Sequence, residues 1–323
     1  MFSFSPAIPS RSDLDWCWYL RRQGRAGEAI ERVLHNIGVM HPGGWADWSA
    51  SSLTDTGSPV EVVFSTHDKA ATLTTEVDNP SHDPNTRFGQ VCSIMAHLGG
   101  TPPDAALRDV ISAAQGAAKL HYGARLGLRH DGNTLSTMLF AELPTAASDL
   151  STLMSQAPFE PILQILGPSA RTTMLGYDGT TRKVTIFCEA DGVKRTILPA
   201  LCGPAQVSPD VLSMSIDGMT DAAPSMDLPT QKLRFSYTIG ATESLPTLSL
   251  AFSSKALFGT DDAIERRVRA CSFAKQAHYT QLMENLPVAP KGITHHGDIH
   301  MTARKDAAPA MSINVAAPWD YSF

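Results

Sequence analysis

No run of apolar residues comes near the roughly 18 needed to cross a bilayer, so no membrane-spanning helix is expected. The start, MFSFSPAIPSRSDLDW, lacks a basic segment and an apolar core, which argues against a secretory signal. There is no CxxC pair. The five cysteines, Cys17, Cys92, Cys188, Cys202 and Cys271, are odd in number and scattered, which fits reduced thiols in a cytoplasmic protein. A basic excess is also missing. The formal charge of −6 argues against nucleic-acid or anionic-membrane partners, although a small local group of Lys and Arg is compatible with it. No glycine-rich phosphate loop, GxSxG elbow or zinc-type Cys/His spacing occurs, which disfavours nucleotide enzymes, serine hydrolases and zinc proteins.

What the sequence does have is alternation. In 59–78, Val60, Val62 and Phe64 alternate with Glu61, Val63 and Ser65, and Leu73, Thr75 and Val77 alternate with Thr72, Thr74 and Glu76. A period of two places one set on each face of a sheet, so the pattern predicts two strands with Glu61 on the face opposite the apolar set. Similar pairs recur at 122–142, around Asp131-Gly132, at 171–190, around DGTTR, and at 232–253 and 295–316. The first strands begin near 59, 122, 171, 232 and 295, at intervals of 63, 49, 61 and 63 residues. Between them the apolar spacing turns helical, over 12–38, 84–118, 146–155, 159–166, 193–201, 209–215 and 261–285, with Thr260 as an N-cap.

Five repeats of one strand–strand–helix–helix unit bury their apolar faces only by stacking on neighbours. The expected fold is α+β: a closed antiparallel ten-stranded β-barrel from five αββα repeats, ringed by helices, as a single domain over 1–323. Closure removes the two free edges of an open sheet.

The repetition resembles the ABBA, or prenyltransferase-barrel, family of aromatic prenyltransferases. Its local motifs are most similar to the dimethylallyltryptophan-synthase branch. LTDTGSPVEVVFS at 53–65 resembles the first-strand signature of that branch. LGLRHDGNTLSTMLFAELP at 126–144 and MLGYDGTTRKVTIF at 174–187 resemble its second and third hairpins. The resemblance implies an enzyme of secondary metabolism that transfers a prenyl group from an isoprenoid diphosphate to an indole or phenol inside the barrel. It implies no cofactor and no requirement for magnesium. Partners would be an aromatic small molecule and an isoprenoid diphosphate, with the protein a monomer or homodimer.

Glu61 falls at the family's acceptor-binding carboxylate. The lumen positions that resemble the family's Lys-x-Tyr read Met138-Leu139-Phe140, and those that resemble Arg-x-Lys-x-Tyr read Lys183-Val184-Thr185-Ile186-Phe187. Thr72 stands where an Arg is expected. Substrate contacts are therefore assigned to Met138, Phe140, Thr185, Phe187, Thr72 and Ser249, and diphosphate contacts to the remaining cations, Arg129, Lys183, Lys232 and Arg234. These losses keep two alternatives open. One is a repurposed barrel that cyclises or condenses an aromatic or prenylated intermediate by acid–base work at Glu61. The other is a non-catalytic lumen-binding protein. Glu76 and Glu142 read as structural or rim charges, and Tyr177-Asp178 as part of a hairpin turn. In HHGDIH, regular alternation would place His296, Asp298 and His300 on one face, a partial pattern for iron. No histidine follows His300, and no metal is assigned.

Overall fold

A computed structural model describes residues 20–41, 44–67, 70–116, 118–144, 166–167, 170–221, 227–240, 243–270 and 277–319. Ten strands form the barrel: β1 Val60–Ser65, β2 Ala71–Thr75, β3 Ala124–His130, β4 Leu135–Glu142, β5 Arg171–Asp178, β6 Val184–Asp191, β7 Lys232–Ile239, β8 Thr247–Ser253, β9 His296–Ala303 and β10 Ala310–Ala316. Each is antiparallel to its sequence neighbour, and β10 pairs with β1 to close the ring. The expected closed barrel is therefore the observed one, and its five first strands begin at 60, 124, 171, 232 and 296.

Alternation decides the layers. Val60, Leu126, Leu128, Leu139, Leu175, Leu233, Leu248, Leu250, Ile313 and Val315 are fully buried on the outer face of the barrel. They meet the apolar stripes of the surrounding helices, α1 Arg25–Asn36, α2 Arg87–His97, α3 Ala105–Gly116, α4 Leu198–Cys202, α5 Pro209–Thr220, α6 Ser254–Phe258, α7 Asp261–Ala270 and α8 Ala277–Asn285. Ile30 and Leu34, Val91 and Met95, Ile111, Leu212 and Ile216, and Ile264 recur at helical spacing and carry that contact. The core is thus a shell between barrel and helices. The barrel interior is left to the other strand face.

Asp131 and Asp178 close the second and third hairpins alike. Asp131 Oδ1 accepts the backbone N–H groups of Asn133 and Thr134, and Asp178 Oδ1 those of Thr180 and Thr181, the local bonds that favour Asp in turns. Thr260 Oγ1 caps α7 by accepting from Ala263 N, as expected. Helix α5 runs on to Thr220, past the expected end at 215. The helical readings at 146–155 and most of 159–166 lie outside the described residues, as do Cys17, Cys271 and the middle of the helix expected over 261–285.

Candidate functional site

The lumen opens into a cavity of ≈ 940 Å³. The segment Ser52–Asp55 lines its mouth. That segment is tied down by Arg125 Nη2 to Ser52 Oγ at 2.9 Å, by Lys255 Nζ to Asp55 Oδ2 at 2.8 Å, and by Thr294 N to the same oxygen at 2.9 Å.

One wall is apolar. Met138, Phe140 and Phe187 line the cavity, the two rings meeting edge to face at 6.1 Å. Their rings lie against lumen-facing glycines. A Cβ on Gly127 would come within 2.8 Å of the Phe140 ring, and one on Gly176 within 3.1 Å of the Phe187 ring. The missing side chains on β3 and β5 are what let the rings lie flat and leave the space open.

The facing wall is titratable. Glu61, near the start of β1, accepts a hydrogen bond from Asn314 Nδ2 on β10 at 2.9 Å. The other oxygen, Oε1, lies 2.7 Å from where a Cβ on Gly297 would be, so a side chain there would displace the carboxyl. Gly297 belongs to an irregularity in β9, a register shift between His296 and Ile299 against β10. Burial, with the Asp298 carboxylate beside it, pushes Glu61 up to about 8; Arg125, the Asn314 hydrogen bond and Arg234 oppose this and lose. Glu61 is therefore a neutral carboxylic acid at pH 7. Asp298 is paired with Arg234 of β7. His300 lines the same cavity, and burial pushes its imidazole below the ordinary range, so it is neutral too.

The shift in β9 corrects the reading of HHGDIH. His296 faces outward, where Nδ1 meets Asp261 Oδ1 at 2.6 Å and Nε2 meets the Tyr279 hydroxyl at 2.8 Å. An extra residue breaks the period of two, so only Asp298 and His300 point inward. Among the described residues, no three His, Cys, Asp or Glu are placed to hold a metal ion.

The four cations expected at a diphosphate do not converge. Lys183 is at the hairpin end, paired with Glu243 of the β7–β8 turn. It is six residues along β6 from the level of Arg234, roughly 20 Å at about 3.3 Å per residue. Arg129 stands at the same end, opposite Thr72 and Ser136. Lys232 is at the other rim, 3.3 Å from Glu189, which also binds Arg171. Of the four, Arg234 alone lines the cavity, and it is held by Asp298. The wide spacing follows from strand length, since residues on one face can lie at opposite ends of a strand.

The assigned substrate contacts also divide. Met138, Phe140, Phe187 and Ser249 line the cavity. Thr72 and Thr185 lie toward the hairpin end, outside its lining, and Thr185 is bonded to Thr238 at 2.8 Å. Glu76 and Glu142 are structural. Glu76 is shared by Arg87 at 3.2 Å, Arg125 at 2.9 Å and Ser51 at 2.6 Å, while Glu142 accepts the backbone N–H groups of His121, Tyr122 and Gly123. Tyr177 is buried on the outer face. Arg125, Asp298, His300 and Asn314 were not assigned from the sequence. Alternation carries a signal for two of them, since Arg125 shares a face with Gly127 and Arg129, and Asn314 with Ser312.

No protein-family model matches the sequence, and no curated protein matches it. Solved structures do. The apo form of the prenyltransferase PriB superposes with a TM-score of 0.72 at 12% identity, over 95% of this chain and 94% of that one. The 5-dimethylallyltryptophan synthase from Streptomyces coelicolor gives 0.71 at 11%, over 95% and 96%. The 6-dimethylallyltryptophan synthase from Micromonospora olivasterospora, solved with DMASPP and Trp, gives 0.68 at 13%, over 97% and 98%. The architecture is thus a closed antiparallel barrel inside a helical ring. It is the ABBA, or prenyltransferase-barrel, fold, carried on a far diverged sequence.

Proposed function

We propose that the protein is an enzyme that takes an aromatic, or prenyl-bearing aromatic, small molecule into the barrel and transforms it by proton transfer from Glu61, without a diphosphate. The observation that carries this reading is the state of Glu61. It is a buried carboxyl held neutral at pH 7, set across the lumen from an aromatic wall. A neutral acid facing an aromatic wall can protonate an alkene or an electron-rich ring, and the facing aromatic surfaces stabilise the cation that forms. Cyclisation of a prenylated aromatic is the reaction that needs only these parts.

A second reading, prenyl transfer from an isoprenoid diphosphate, is favoured by the fold and by neighbours solved with tryptophan and dimethylallyl thiolodiphosphate. Charge weighs against it. A diphosphate brings about three negative charges and needs several free cations. Arg234 is already matched by Asp298, Arg125 shares Glu76 with Arg87, and Lys255 is matched by Asp55.

Calorimetry with pyrophosphate and geranyl diphosphate separates the two. The acid–base reading expects no binding below millimolar ligand, together with turnover of a prenylated phenol or indole that Glu61→Gln abolishes. Micromolar diphosphate binding, lost in Arg234→Ala, would establish prenyl transfer instead.

A further inference from the structure

A reaction begun by a proton from Glu61 and ended by ring closure releases a second proton. A base on the lumen wall is placed to receive it. His300 on β9 has the position for that. It lines the same cavity as Glu61 and the aromatic wall, level with Arg234, Ala251 and Ser312 across the sheet. Its imidazole makes no hydrogen bond among the described residues. Asp298, two residues before it, is engaged by Arg234 and so does not hold the ring as an ion pair.

We propose that His300 is the catalytic base that takes the proton released as the cyclised product forms, Glu61 being the acid that starts the reaction. This rests on the acid–base reading of the lumen. With 2-dimethylallylphenol as substrate the atoms balance. The Glu61 O–H bond breaks and a C–H bond forms at the alkene, leaving a tertiary cation. The phenol oxygen closes on that cation, its O–H bond breaks, and the proton passes to a ring nitrogen of His300. The product, 2,2-dimethylchroman, is an isomer of the substrate, so no oxidant or reductant is needed. Glu61 and His300 regain their starting states by proton exchange with water when the product leaves.

The surroundings bias the two groups in opposite directions, which is the signature of an acid and a base sharing a site. The charged groups around His300 are Asp298 on its own strand, which favours the imidazolium, and Arg234 on β7, which disfavours it. Its register partners Ala251 on β8 and Ser312 on β10 are uncharged. Glu61 on β1 is neutral at pH 7, and Asp298 acts on both residues, which places acid and base around one carboxylate.

The test uses the full chain and 2-dimethylallylphenol in two arms. In the first, ¹⁵N-histidine NMR follows the His300 signal, identified by its loss in His300→Gln. A ring that is neutral at pH 7 and shifts on addition of the phenol supports the proposal; a protonated ring, or one unmoved by saturating phenol, overturns it. In the second, chroman formation falls about 100-fold or more in His300→Gln and His300→Asn, with the dissociation constant of the phenol within about threefold of wild type. Both variants are checked by thermal melting, and a folded variant that keeps the wild-type rate within about threefold overturns the proposal. Absence of chroman from wild type removes the acid–base reading, while the NMR arm still decides whether His300 is a neutral base facing the ligand.

Discussion

Glu61 and Glu76 stand on neighbouring strands, one near the start of β1 and the other one residue past β2. Both are almost fully buried, at 8% and 1% exposure. Their surroundings differ in the number of donors. Glu76 meets two guanidinium groups and a hydroxyl, with Arg125 itself stacked on the Tyr122 ring at 4.0 Å. Glu61 has one amide donor, and the charged group that acts on it most, Asp298, is of the same sign. Burial is common to the two, so it does not explain their difference. Donor count does, and it makes one carboxyl a structural tie and the other a proton reservoir.

The largest effect expected on this contrast comes from removing a partner of the tie. Arg87→Met leaves Glu76 with one cation in a buried site and should cost about 3–5 kcal/mol in urea unfolding. A loss under about 1 kcal/mol would show that Glu76 is not the anchor described. Next is the reservoir. A carboxyl whose folded value is raised stabilises the fold fully at acid pH and loses that contribution as pH rises from about 4.5 to about 8. Wild type should therefore lose about 1.4 kcal/mol per pH unit within that window through this group. Glu61→Gln should flatten the slope; an unchanged slope in the variant would mean that Glu61 is already ionised. Gly127→Ala comes third. Its Cβ forces Phe140 into the lumen, which should weaken binding of an aromatic ligand about tenfold by calorimetry and cost about 1–3 kcal/mol in stability. Smallest is Lys183→Ala at the hairpin end. Its pair with Glu243 is partly solvated, so stability should move by less than about 0.5 kcal/mol, with ligand affinity unchanged. A large loss of affinity there would return Lys183 to the binding site.

The barrel was legible because a period of two is rigid information. Once Val60, Val62 and Phe64 face the helices, Glu61 has one direction left. The repeat spacing then pointed to closure, since pairing the last of ten amphipathic strands with the first removes both edges. Depth along the barrel was not legible. Alternation assigns Lys183, Arg234 and Lys232 to faces but not to levels, and levels separate them. Nor does it foresee irregular strands. One extra residue in β9 turns His296 outward to Asp261 and Tyr279, and brings Gly297 and Asp298 against Glu61. Asn314 had the right parity but no motif to mark it.

The pairing of β10 with β1 has a consequence for Glu61. Glu61 comes from the first stave, and Asn314 and Asp298 from the last two, the amide that binds Glu61 lying 253 positions further along the chain. Such a contact closes the longest loop in the barrel, so it carries the largest loop-closure cost. Without that contact and the burial around it, Glu61 is an ordinary carboxylate. It keeps its proton up to about pH 8 only once the final strand seals the barrel, so the neutral carboxyl belongs to the finished fold alone.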